Sequence, residues 1–214
     1  MSSSSLQLST LAGCALTIGG YPRFRYNASG GGGLGRIGGD PLGGQRQPAA
    51  PVAGLALDFE PSELTIPPLD WRSTRFLGLP LPPGLRIAIE PERLAGSLDG
   101  ESGAVTLQFR ARFLFSLGSL YRAPALRVDT ELTSGALVSQ RHRSSGQPLA
   151  GDGTALLVGV ATIEPCGEPW LDRFLGLPDE ALAVLRCRFR ALPATACHSG
   201  PPAGRSAPGQ SGPA

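Results

Sequence analysis

Alternation of apolar and polar residues dominates this chain, and it predicts extended strands. Over residues 105–115, Val105, Leu107, Phe109, Ala111, Phe113 and Phe115 share one parity, while Thr106, Gln108, Arg110 and Arg112 share the other. A period of two places the first set toward a core and the second toward water or a partner. Three phenylalanines on one strand face argue for a real core. Residues 125–132 repeat the pattern, with Leu126, Val128, Thr130 and Leu132 opposing Arg127, Asp129 and Glu131. So do residues 85–90 (Leu85, Ile87 and Ile89 inward) and residues 185–190 (Leu185, Cys187 and Phe189 inward).

Residues 53–60 alternate, and the mostly apolar run 155–163 reads as a central strand. Segments 94–98 and 105–115 flank Asp99-Gly100-Glu101-Ser102-Gly103, the strongest hairpin signal in the chain. Residues 134–152 are polar and read as a long loop or irregular hairpin. A short helix is expected at 178–184, with Pro178 near its first position and Asp179 and Glu180 in its first turn. The result is roughly seven to nine short strands, mainly antiparallel because the connections are too short for crossover helices. The expected fold is mainly β: a single antiparallel β-barrel or β-sandwich with one or two short helical segments and flexible Gly/Pro-rich termini. The pattern does not separate barrel from sandwich.

Composition sets the expected boundaries. Residues 1–50 hold 12 glycines and one acid, Asp40. They read as a Gly/Ser-rich N-terminal extension with one strand, loose over residues 1–10 and too glycine-rich over 30–39 for a regular element. Residues 51–192 form the β-rich domain, and residues 193–214 a disordered Pro/Gly/Ser-rich tail. That central part carries 14 arginines against 16 acids. A near-neutral body argues against a nucleic-acid partner. Lysine is absent and all 19 basic residues are arginine, which fits either genomic composition or selection for bidentate and stacking contacts.

No run reaches the ~18 apolar residues of a membrane span, so the expected location is the cytoplasm, with a peripheral place on the cytoplasmic face of a membrane left open. Leu11-Ala12-Gly13-Cys14 has the small-residue pattern that precedes a lipidated cysteine, but no basic residue comes before it. Cys14, Cys166, Cys187 and Cys197 form no close pair and no metal spacing; reduced thiols are expected, with a Cys166–Cys187 pair left open.

Candidate chemistry is sparse. His142 lies between Arg141 and Arg143 with no nucleophile or orienting acid in view, and His198 lies in the tail. The glycine run lacks the Lys-Ser/Thr step of a phosphate loop. Asp58, Glu60, Glu63 and Asp70 read as solvated surface. No catalytic residue, metal ligand or cofactor is expected.

Two features remain. The hexapeptide Arg75-Phe76-Leu77-Gly78-Leu79-Pro80 returns as Arg173-Phe174-Leu175-Gly176-Leu177-Pro178, each copy preceded by a tryptophan. A pair of similar turns or helical caps is expected, with Trp71, Phe76, Trp170 and Phe174 either packed or forming an apolar rim. Arg110 and Arg112 share one strand face, as do Arg186, Arg188 and Arg190. If the strands were neighbours, five guanidinium groups would converge and need carboxylates or a bound anion. Glu90, Asp129 and Glu131 are the internal partners within reach of that pattern.

The stretches YPRFRYNASGGGG, TIPPLDWRSTRFLGLPLPPGLRI, SLYRAPALRVDTELTSG and WLDRFLGLPDEALAVLRCRFR resemble a conserved, uncharacterised family of cyanobacterial proteins over residues 16–190. The resemblance implies a cyanobacterial source and a tie to photosynthetic membranes, and carries over no functional residue. The reading is a non-catalytic accessory or assembly-type interaction protein, working through the Trp-bearing rims and arginine rows on a protein complex or anionic ligand. Two alternatives stand beside it: a carrier of a lipid, pigment or other apolar ligand inside a barrel, which requires enclosed apolar volume with few polar anchors, and an enzyme using His142.

Overall fold

The computed structural model describes residues 4–38 and 54–192. Its strands, in chain order, are β1 (Ser4–Thr10), β2 (Cys14–Ile18), β3 (Phe24–Tyr26), β4 (Gly32–Gly38), β5 (Leu55–Phe59), β6 (Thr74–Phe76), β7 (Leu79–Pro80), β8 (Leu85–Leu98), β9 (Val105–Leu117), β10 (Tyr121–Arg122), β11 (Leu126–Thr133), β12 (Ala136–Val138), β13 (Arg143–Ser145), β14 (Thr154–Ile163) and β15 (Asp179–Leu192). One helix, α1 (Pro169–Leu175), precedes β15, and a 3₁₀ turn spans Pro61–Glu63.

Backbone pairing runs β1–β4–β5–β8–β9–β11–β14–β15 and returns from β15 to β1, antiparallel throughout. These eight strands therefore have no free edge between them. Past a break at residues 11–13, β2 continues along β15, where Ala15–Ile18 pair with residues 181–184. From β2 the pairing passes to β3, β6 and β7, and an isolated bridge joins Leu69 to Ile87 of β8.

Alternation explains the long strands, with one device the pattern hid. In β8 the inward residues are Leu85, Ile87 and Ile89, then Leu94, Gly96 and Leu98, a change of parity. A bulge between Pro91 and Arg93 supplies the extra residue, so two apparent strands are one of 14 residues.

The N-terminal expectation is corrected. Four strands, not one, lie within residues 4–38, and the boundary at residue 50 falls outside the described residues. The glycine run forms β4 because that strand passes unusually close to its neighbours. A Cβ on Gly32 would lie 2.0 Å from the Leu8 carbonyl oxygen, and one on Gly35 2.5 Å from the Phe59 ring. Here glycine makes a strand possible by its lack of side chain.

The helix expectation is also corrected. Residues 179–184 are strand, held on both sides: Leu182 pairs with Val160 of β14 and Thr17 of β2. Two ladders outweigh a short segment's helical preference. The helix lies nine residues earlier, with Pro169 in its first turn and Gly176 (φ 71°) as its left-handed cap. The polar stretch 134–152 contains the β12–β13 hairpin, tied to the start of β15 by the Arg141–Asp179 ion pair (2.6 Å) and by the Ser139 hydroxyl donating to Glu180 (2.7 Å).

Leu57, Phe59, Val105, Leu107, Leu157 and Cys187 form the centre of a densely buried core at one end of the ring. Among the described residues, no helix is long and apolar enough to cross a membrane.

Candidate functional site

The inward face of the ring is filled at one end and hollow at the other. The hollow is a cavity of about 690 Å³. Its walls are the inward residues of the first half of β8 (Leu85, Ile87, Ile89), Phe109, Phe113 and Phe115 of β9, Val128 of β11, Ala183 and Leu185 of β15, Leu16 of β2 and Phe24 of β3. None of its lining residues carries a charge. These side chains are only half-buried although they point inward, because they border the hollow rather than an opposing side chain.

Several of the hydroxyls lining this space are committed to backbone carbonyls. Tyr26 donates to the Pro67 carbonyl, Thr10 to Ala28, and Thr130 to Val160 (2.9 Å). Burial raises the Tyr26 phenol and the Cys14 thiol above their ordinary pKa, so both wall groups stay neutral at physiological pH.

Helix α1 lies across the mouth. Trp170 packs edge-on to Tyr121 (5.2 Å between ring centroids) and Phe115 (5.9 Å), and its indole N–H donates to the Tyr121 hydroxyl (2.8 Å). Phe174 sits beside Trp170 and Tyr21, and the Tyr21 hydroxyl donates to the Phe174 carbonyl. The Asp172 carboxylate accepts the Cys166 and Gly167 amides, which anchors the loop leading into the helix. The mouth is thus built by aromatic contact and a few hydrogen bonds, with no ladder holding α1 to the ring.

The residues singled out from sequence divide. Phe76, Trp170 and Phe174 line the hollow, with Phe76 stacked on Phe24 at 4.5 Å. Trp71 does not; it stays 47% exposed on an outer turn with the Arg72 guanidinium 4.9 Å from its ring centroid. The two hexapeptides are not similar turns. The first is a hairpin tip between β6 and β7, and the second ends α1. They share only a glycine with positive φ, Gly78 and Gly176, and a place near the mouth.

The arginine rows do not converge, because β11 and β14 separate β9 from β15. Arg110 pairs with Asp129 (2.6 Å), and Arg112 with Glu90 (2.7 Å) and Glu92 (3.2 Å). Hydrogen bonding from Arg110 holds the Asp129 carboxyl below its usual pKa. Arg188 reaches Asp152 at 3.8 Å, while Arg186 and Arg190 make no ion pair among the described residues.

His142 has a buried Nε2 with no hydrogen-bond partner, and only its backbone touches Ser139. Cys14, Cys166 and Cys187 are free thiols, which closes the Cys166–Cys187 alternative. Among the described residues, no group of three His, Cys, Asp or Glu is placed to hold a metal. Tyr21 and Tyr121, which fix α1, carried no periodic signal and were not visible in the sequence. Comparison with protein-family models, curated proteins and solved structures returned no match.

Proposed function

We propose that this chain is a β-barrel that holds one apolar or amphiphilic molecule, of lipid or pigment class, in its hollow half and acts as its carrier. One observation carries the reading: a cavity of about 690 Å³ whose lining has no charged side chain. Small-molecule sites fall at about 300–1,000 Å³, and eight-stranded barrels are about the size at which an interior either fills with side chains or holds one ligand. An unfilled apolar cavity forfeits dispersion contacts along its whole wall, and water gains little by entering where no polar group receives it. A hydrocarbon occupant recovers those contacts. With no charged side chain in the lining and most of its hydroxyls bonded to the backbone, selection inside it acts through size and shape, and a charged end of the ligand belongs at the mouth.

The test is purification without detergent, extraction into organic solvent and mass spectrometry. A stoichiometric apolar compound is the expected result. A protein that emerges empty and takes up no long-chain probe contradicts the reading. The accessory-protein reading is the second choice, favoured by the exposed Trp71–Arg72 pair on the outer wall; a stoichiometric protein co-purifying in place of a small molecule supports it. A photosynthetic setting rests on the family resemblance alone.

A further inference from the structure

We infer that the open end of the ring docks on an anionic lipid bilayer, and that the hollow exchanges its ligand there. The inference rests on reading the hollow as a ligand site. The surface is made of separate tips around the mouth: Leu77 and Leu79 beside Phe76, Leu117 and Leu120 at the β9–β10 turn, and Trp170 and Phe174 on α1.

Leu77 is the most telling of these. It joins β6 to β7 with φ 53°, followed by Gly78 at φ 85°. Two positive φ values in a two-residue hairpin turn call for Asn-Gly or Asp-Gly, and a large apolar side chain is strained there. Leucine also gains no packing in return, since it is 71% exposed. A residue that breaks a backbone rule and a solvation rule together, with no compensation inside the chain, points to an apolar phase outside it. Leu120, 91% exposed at the neighbouring tip, has the same character. Trp170, apolar on its ring faces and hydrogen-bonded through its N–H, is of the type that sits at a membrane–water boundary.

Charge selects the surface. Arg23, Arg75, Arg86, Arg122 and Arg173 are exposed beside the tips, and none has a carboxylate within 4.0 Å among the described residues. Arg25 and Arg75 stand directly opposite each other across β3 and β6. Like charges in that position cost stability unless an anion lies over them. The β9 wall also sets arginines opposite one another, Arg110 by Arg93 and Arg112 by Arg127, but there both β9 arginines are paired with carboxylates. The tips stand on three separate segments, which suits a fluid headgroup layer better than a shape-matched protein.

The full chain is tested by co-sedimentation with phosphatidylcholine vesicles, with and without phosphatidylglycerol. Binding is expected only with the anionic lipid and weakens with salt. Leu77→Asp with Leu120→Asp changes two exposed tips, one at a backbone position that Asp tolerates. This double variant is expected to lose vesicle binding about tenfold or more while still taking up an apolar probe in vesicle-free buffer. Arg75→Gln and Arg173→Gln are each expected to weaken binding about fivefold. Equal binding to both vesicle types, or an unaffected double variant, overturns the inference. Probe uptake without vesicle binding also overturns it and leaves the ligand reading intact. Vesicle binding with a hollow that never fills keeps the docking and removes the carrier.

Discussion

The two ends of the strand ring share long strands with one alternation, yet one is solid and the other hollow. Strand β9 contains both: Leu107 is fully buried at the packed end, whereas Phe113 and Phe115, of the same parity, are half-buried against empty space. The packed end is closed by β1, β4 and β5, whose glycines let backbones approach and whose Leu6, Leu8, Leu57 and Phe59 fill the middle. At the hollow end β3, β6 and the bridge at Leu69 take their place, and they bring short ladders and large rings that lie along the wall. Alternation decides which way a side chain points. Whether it meets another side chain depends on what the opposite wall supplies.

The sharpest break between the two ends is expected from truncation. Leu107→Ala removes atoms from a closed core and is predicted to cost about 2–5 kcal/mol in urea unfolding. Leu16→Ala already faces a void, so it is predicted to cost about 1–2 kcal/mol, mainly lost apolar burial. Equal costs would mean that the two ends are packed alike. Next in size is the reverse substitution. Ala155→Phe overfills the packed end and is predicted to cost about 1–3 kcal/mol. Ala183→Phe projects into the hollow and should leave the unfolding midpoint nearly unchanged while weakening apolar-probe binding about tenfold or more.

A smaller effect is expected at the seam between β11 and β14, where regular pairing is limited to Thr133 and Val158. The Thr130 hydroxyl stands in for the ladder by donating to Val160. Thr130→Val is predicted to cost about 1–2 kcal/mol, with faster amide exchange in the first half of β11 and none at its packed end. The smallest effect is a pH dependence. Arg110 lowers the native pKa of Asp129, so this pair stabilises the fold above the unfolded carboxylate range and loses that contribution as pH falls through the native value. The group is largely solvated, so the loss is slight, and Asp129→Asn should flatten the acid limb of the stability curve without changing probe binding.

Much of the wall was legible in the sequence because period two depends only on neighbours along the chain. The inward set of β9, β11 and the end of β15 follows from it, as does the hairpin around Asp99. Three things were not legible. Gly32–Gly38 reads as irregular until Leu8 and Phe59 are known to lie against it. Residues 179–184 read as helix until β2 and β14 are known to flank them. The repeated hexapeptide has one local preference and two outcomes, set by whether a hairpin or a helix delivers it to the mouth. In the site, Phe76, Trp170 and Phe174 were visible as unusual apolar residues, but the hollow they border is a property of opposite walls at long sequence separation.

The most direct measurement uses the two tryptophans, one on each kind of surface. With Trp71→Phe, Trp170 at the mouth is the single reporter, and an apolar probe is titrated against its fluorescence. A saturable change at one probe per chain, shifted about tenfold or more to higher probe concentration by Ala183→Phe in a protein that unfolds at nearly the same urea concentration, is the predicted result. A Trp170 signal indifferent to the probe, or a response that survives Ala183→Phe unchanged, contradicts a hollow that holds a ligand.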